Sequence, residues 1–155
     1  MRLCLFQPDI AQNTGTLLRF GACLGVPVDI IGPAGFDLSD RALKRAGLDY
    51  LGDVELQQHV SFTAFDAWRK RRGARLVLAT TKAELVYTDC EFQPADIVMV
   101  GRESSGVPDD VARLADQAVK IPMQQGMRSL NVALAAAMIM GEALRQVRTR
   151  ESQGN

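Results

Sequence analysis

Three polar stretches carry the side chains whose types and spacing could do chemistry: QPDIAQNTGTLLR (7–19), VGRESSGVPDD (100–110) and IPMQQGMRSLN (121–131). They hold Asn13, Arg19, Arg102, Glu103, Arg128, Ser129 and Asn131. That mixture of carboxylate, guanidinium, hydroxyl and amide suits phosphate and ribose contacts beside a neutral pocket walled by backbone. Arg19 lies between one and two helical turns beyond Asn13, which lets both face one site. For Asn13 two readings stand together, a helix N-cap and a functional group. Arg19 interrupts the apolar run LLRFGACLG, so it is either functional or a side chain that lays its stem on apolar surface and pairs or hydrates its head.

Other chemistries lack their residues. No GxGxxG follows a strand and no GxxxxGK[ST] occurs, which removes the common dinucleotide and P-loop readings. The single histidine, His59 in VELQQHVS, has no neighbouring ligands and reads as a half-buried strand residue. Neither a Ser-His-Asp nor a Cys-His set can be assembled around it. Cys4, Cys23 and Cys90 are odd in number and far apart, fitting neither a disulfide framework nor a zinc site. No metal is expected, and a reducing cytoplasm is the expected setting. The N-terminus MRLCLFQPDI lacks the apolar core and cleavage site of a signal peptide.

The elements that must position these loops follow from the alternation of apolar runs with helical patterns, as a parallel sheet requires. RLCLFQ, VDIIGP, VELQQHV, RLVLATT, DIVMVG and AVKIPM read as six strands, and NTGTLLRFGACLG, LSDRALKRAG, SFTAFDAWRKRRG and VPDDVARLAD as helices between them. Ser39 and Ser61 fit N-caps, Gly47 and Gly73 fit C-terminal stops, and Asp109 and Asp110 suit a first turn after Pro108. The fold class is therefore α/β, a mostly parallel six-stranded sheet flanked by helices. The three polar stretches fall at the carboxyl ends of strands, the edge where ligands collect in such sheets. One domain over 1–147 accounts for a chain of this length, followed by a polar tail over 148–155.

The last helix, read from about Ser129 to Val147, is apolar on all sides through Met140. It falls short of the roughly 20 apolar residues a membrane span needs. Its second face must be covered either by another copy of the chain or, as a central core helix, by the rest of a monomer. Eighteen basic residues balance eighteen acidic ones, so local clusters matter more than net charge. Arg69, Lys70, Arg71 and Arg72 form one cluster and Arg41, Lys44 and Arg45 another. Each reads as a solvated helix face or as a site for a polyanion.

QPDIAQNTGTLLRFGACLG, DIVMVGRESSGVP and IPMQQGMRSLNVALAAAMIMGEAL resemble, in order and spacing, the three motifs of the SPOUT superfamily of S-adenosylmethionine-dependent RNA methyltransferases. The resemblance spans residues 1 to about 147. With RALKRAGLDY and the LATTK strand end it is most similar to the tRNA wobble-nucleotide 2′-O-ribose methyltransferases. It implies a deep C-terminal trefoil knot, a homodimer, a tRNA substrate, no membrane, and S-adenosylmethionine as methyl donor. It further implies donor contacts at Ala79, Thr80, Gly101, Glu103, Ile121, Met123, Ser129 and Leu130. Arg19, Asn13 and Asn131 become the catalytic set, and Arg19, Arg128, Arg41, Lys44 and Arg45 the RNA contacts. Orienting the ribose hydroxyl and stabilising the alkoxide is physically easier for Arg19 than losing a proton, since guanidinium pKa values exceed about 12. Glu103 is an alternative base. Many relatives carry serine where Ala133 stands, so a proton path through that hydroxyl is not available here. The other readings are the same chemistry at another tRNA or rRNA position, and a non-catalytic RNA-binding factor of the same fold.

Overall fold

Parallel strands covered on both faces need apolar residues at nearly every position, and the segments around Leu3 and Ile97 supply them. In the computed structural model, which describes residues 1–45 and 51–153, β1 (Arg2–Phe6) and β5 (Ile97–Val100) are buried along their whole length. The pleat sends Leu3, Leu5, Val98 and Val100 to one face and Cys4, Phe6, Ile97 and Met99 to the other.

Around this pair stand β2 (Val28–Ile31), β3 (Leu56–His59), β4 (Leu76–Ala79) and β6 (Gln117–Val119). The sheet order is β3-β2-β1-β5-β4-β6, and every pairing is parallel. The helices are α1 (Ala11–Leu24), α2 (Asp40–Arg45), α3 (Phe62–Arg71), α4 (Asp109–Ala112) and α5 (Val132–Gln153). Residues of α1 and α5 complete the core on the Leu3 face, with Leu17, Leu18, Ala136, Ile139 and Met140 buried there. Phe65 of α3 and Val111 of α4 close the Cys4 face. Chain order reverses between β1 and β5, so the loops leaving their carboxyl ends diverge and open a crevice there.

Local signals set the helix ends. The Ser61 hydroxyl accepts from the Ala64 N–H and Ser39 from the Ala42 N–H, as a cap requires. Gly73, at φ 64, ends α3 in a left-handed residue, with the Gly73 N–H on the Lys70 carbonyl and the Ala74 N–H on Arg69. Gly47 lies outside the described residues. The segment VPDDVARLAD gives a single helical turn, and Tyr87–Asp89 forms a 3-10 turn that the sequence pattern does not announce.

Three expectations are corrected. Asn13 is not an N-cap: α1 begins at Ala11 behind Ile10, which makes no side-chain cap. The last helix begins at Val132, not Ser129, because the Asn131 side chain caps it, its Oδ1 accepting from the N–H groups of Ala133 (2.8 Å) and Leu134 (3.4 Å). The expected polar tail continues the helix through Gln153, anchored where Arg150 donates to the Phe92 carbonyl at 2.6 Å.

Two charged features turn out to belong to packing. Arg69 is 3% exposed and donates to Asp66, Asp116 and the carbonyls of Ala74 and Leu114. It therefore leaves the solvated face assigned to the RKRR cluster and ties α3 to the strand entering β6. Lys70 pairs with Asp66, and Arg72 lies 4.9 Å over the Trp68 ring. His59 is buried rather than half-buried, bonded to Asp29 at 2.8 Å and set against Phe65 and Trp68.

The apolar circumference of α5 divides cleanly. Ala133, Ala136, Met140, Ala143 and Val147 are buried at helical spacing, whereas Leu134 (60% exposed) and Met138 (42% exposed) lie on the opposite stripe. Among the described residues no helix is long and apolar enough to cross a membrane.

Candidate functional site

The motif-two turn is built by two glycines. A Cβ on Gly101 would lie 2.7 Å from Gly106 backbone, and Gly106 itself sits at φ 67, so the chain can fold back where side chains would collide. Arg102 and Gly106 exchange backbone hydrogen bonds at 3.1 and 2.8 Å, which closes the hairpin and lifts Glu103 to its tip. Because β1 and β5 are sheet neighbours with Leu5 opposite Val100, this tip meets the turn that follows β1.

The meeting is reciprocal. The Glu103 N–H donates to Asp9 Oδ1 at 3.1 Å, and the Asp9 N–H donates to Glu103 Oε2 at 3.0 Å. The Ser104 hydroxyl donates to the other Asp9 oxygen. Glu103 Oε1 faces the Asn13 amide at 3.4 Å, and Asn13 Oδ1 accepts from Asn131 Nδ2 at 3.1 Å. The three stretches are thus joined in one hydrogen-bonded chain, Asp9–Glu103–Asn13–Asn131.

Electrostatics follows from this packing. Burial, then the Asp9 carboxylate, raises the Glu103 pKa above the ordinary carboxylate range. The Glu103 side chain, then the Ser104 hydroxyl, hold Asp9 down at about 2. The pair titrates as a unit that takes its first proton on Glu103. A carboxylate tuned upward in this way is better matched to accepting a proton near neutrality.

Beside the network lies a cavity of about 910 Å³ at the carboxyl ends of β4, β5 and β6. Its floor includes Leu78, Val100, Val119 and Ile139. Ala79 and Thr80 line it at the end of β4, and Gly101 and Glu103 at the end of β5. Ile121, Met123, Ser129 and Leu130 close it from the segment before α5. That segment is pinned at its start by Lys120, whose N–H donates to Leu85 and whose carbonyl accepts from Tyr87, both at 2.9 Å. The volume is at the large end of the roughly 300–1,000 Å³ of small-molecule sites and holds a nucleoside-sized ligand.

All eight positions assigned to donor contacts therefore meet at one cavity, joined by Asn13, Asn131 and Arg128. Arg19 does not line it. It is exposed on α1, beyond Asn13. Arg41 is exposed on α2, away from the cavity lining, while the side chains of Lys44 and Arg45 lie outside the described residues. Ala133 faces the core and not the cavity, so the hydroxyl missing there subtracts nothing from the cavity wall. Asp9 and Ser104 were not singled out from sequence. Their signal was available only as an acidic residue two positions past a strand end and a serine in the motif-two turn.

Among the described residues no group of three or more His, Cys, Asp or Glu is placed to hold a metal ion. The cavity lining is mostly backbone and neutral side chains, with Lys82, Arg102, Glu103, Asp109, Arg113 and Arg128 as its charged groups.

Comparison with known proteins gives the same constellation a context. A tRNA (cytidine(34)-2'-O)-methyltransferase of Beijerinckia indica is 61% identical over 145 residues, covering 94% of this chain and 91% of that protein. A solved structure described as concerning the 2-OH methylation of C/U34 on tRNA superimposes with a TM-score of 0.87 at 42% identity, covering 94% of each chain. The SpoU methyltransferase AviRb from Streptomyces viridochromogenes, in complex with the cofactor AdoMet, is 26% identical with a TM-score of 0.85, covering 94% of this chain and 57% of that one. The model of the SpoU rRNA Methylase family matches residues 1–141, and the chain belongs to that family.

Proposed function

We propose that this chain transfers a methyl group from S-adenosylmethionine to the ribose 2′-oxygen of the wobble nucleotide, cytidine or modified uridine, in the anticodon loop of tRNA. The observation that carries the reading is the Asp9–Glu103–Asn13–Asn131 chain at the edge of a nucleoside-sized cavity. The similarity to proteins named for methylation of nucleotide 34 supports the choice of position. When bound, the donor supplies an electrophilic methyl group on a sulfonium.

The chain's own residues bind and orient. Ala79, Thr80, Gly101, Glu103, Ile121, Met123, Ser129 and Leu130 hold the donor largely through backbone, and Arg19, Asn13 and Asn131 are the catalytic set. Arg19 orients the hydroxyl and stabilises the developing alkoxide, and Arg19, Arg128, Arg41, Lys44 and Arg45 are the RNA contacts of this reading. Alignment of oxygen, carbon and sulfur supplies much of the rate.

The functional unit in this reading is a homodimer. Leu134 and Met138 form an exposed apolar stripe on α5, which monomers seldom leave uncovered. Gly141, exposed on the same stripe, lets a second backbone come close. In this reading Arg19, exposed on the adjoining helix α1, serves the cavity of the second copy. The knot belongs to the same reading: β6 pairs beside β4 and the chain then returns as α5 across β4 and β5. The setting is the cytoplasm, with no metal in the chemistry.

Calorimetry with S-adenosylmethionine followed by transfer of labelled methyl to unmodified tRNA tests the reading. Donor binding with transfer is expected. A chain that binds tRNA and not the donor is instead an RNA-binding factor of this fold.

A further inference from the structure

Two residues of the turn after β1 grip the motif-two hairpin. Gln7 accepts from Arg102, passes a 3.3 Å bond on to the Gly32 carbonyl, and sits at φ 42, a left-handed conformation uncommon for a residue with a side chain. Asp9, two residues on, takes the hairpin tip: one carboxylate oxygen receives the Glu103 N–H, the other the Ser104 hydroxyl, and its own N–H donates back to Glu103 Oε2. These bonds fix both the backbone and the carboxylate of Glu103, leaving Oε1 directed at Asn13.

We propose that Asp9 is a positioning residue for methyl transfer, holding Glu103 in the orientation in which its carboxylate accepts the proton of the attacking ribose hydroxyl. The inference rests on the methyltransferase reading above. In the step, O2′ forms a bond to the methyl carbon and the carbon–sulfur bond breaks with its electron pair left on sulfur. The O2′ proton passes to the Glu103 carboxylate. Arg19 is unsuited to that last role, because a guanidinium carries donors and no acceptor.

Asp9 makes Glu103 the better acceptor. It stays ionised, held at about 2, and its negative charge beside Glu103 favours the protonated form of that neighbour. The other charged groups lining the same cavity are Lys82, Arg102, Asp109, Arg113 and Arg128. Of these, Lys82 is paired with Asp109 at 3.3 Å and Arg102 with Gln7. Asp9 is the acidic group bonded directly to Glu103.

The test compares wild type, Asp9→Asn, Glu103→Gln and the double variant in single-turnover methyl transfer across pH, with donor affinity and melting temperature measured on each. Asp9→Asn is expected to lower the transfer rate about 10- to 100-fold, the scale of a misplaced general base, with donor affinity and tRNA KM within about twofold. The acid limb of its pH profile should move to lower pH, because Glu103 keeps the burial that raises it most but loses the Asp9 carboxylate that raises it further. In the double variant Asp9→Asn should add nothing to the loss from Glu103→Gln. The melting temperatures show whether each variant in the comparison is folded. Transfer by wild type together with an unmoved acid limb, additive losses, or a loss confined to KM or donor affinity overturns the positioning role alone. Absence of transfer by wild type overturns the methyltransferase reading with it.

Discussion

The Asn131 side-chain amide donates to Asn13 Oδ1 at 3.1 Å across 118 positions of sequence, while its own carbonyl oxygen caps α5. One side chain thus starts the last helix and ties it to the first, at the rim of the cavity. Asn131→Ala is predicted to lower stability by about 1 kcal/mol through the lost cap and to slow transfer. Asn131→Asp keeps the cap oxygen and removes the donor, so it should melt like wild type and still be slow. Thermal melting beside single-turnover rates separates the two roles. A wild-type rate in Asn131→Asp would show the bridge to Asn13 to be dispensable.

Arg19 lies outside the cavity of its own chain, exposed on α1. Arg19→Ala is expected to reduce transfer by at least about 100-fold, the scale of a lost transition-state donor, with donor affinity within about twofold. Calorimetry and single-turnover kinetics read the two quantities separately. Equal loss of donor binding would make Arg19 a structural residue.

The exposed stripe of α5 gives a test of assembly. Leu134→Glu and Met138→Glu put charge on side chains that the fold itself leaves in water, so the monomer should stay folded. Sedimentation should show dimer for wild type and a shift toward monomer for the variants, together with loss of transfer. A wild-type monomer that is fully active would contradict the homodimer.

Arg69 predicts a loss of stability without a loss of chemistry. Its guanidinium bonds Asp66 and Asp116 at 2.7 Å each and two carbonyls beside them. Arg69→Met should cost about 2–3 kcal/mol, the scale of hydrogen bonds to charged groups. Denaturant unfolding checks the value, and the salt dependence of tRNA binding should match wild type, since this side chain is not available to phosphate. A reduced salt slope would return it to the RNA surface.

Much of the sheet was legible because burial on both faces forces strands such as DIVMVG and RLCLFQ to be apolar throughout, and because capping serines stand where helices start. The cavity was legible through the motif resemblance and through the position of the loops after strands. Contacts between distant segments were not. Nothing local tells Asn131 from any other N-cap, and the bond to Asn13 exists only once β1, β5 and α5 are packed. Arg69 was misread for the same reason: a run of four basic residues looks solvated, and the partner that buries one of them, Asp116, is 47 positions away. The apolar ring of α5 signalled a helix that packs, and the fold covers one of its faces while Leu134 and Met138 stay exposed on the other.

The central claim is methyl transfer to the ribose of nucleotide 34. Incubation of the protein with S-adenosylmethionine and a full pool of unmodified tRNA, followed by nucleotide-resolution mapping of 2′-O-methyl groups, tests it most directly. New 2′-O-methylation confined to position 34, and lost in Arg19→Ala, is the predicted result. Methylation at any other position, or none in a protein that binds the donor, would contradict it.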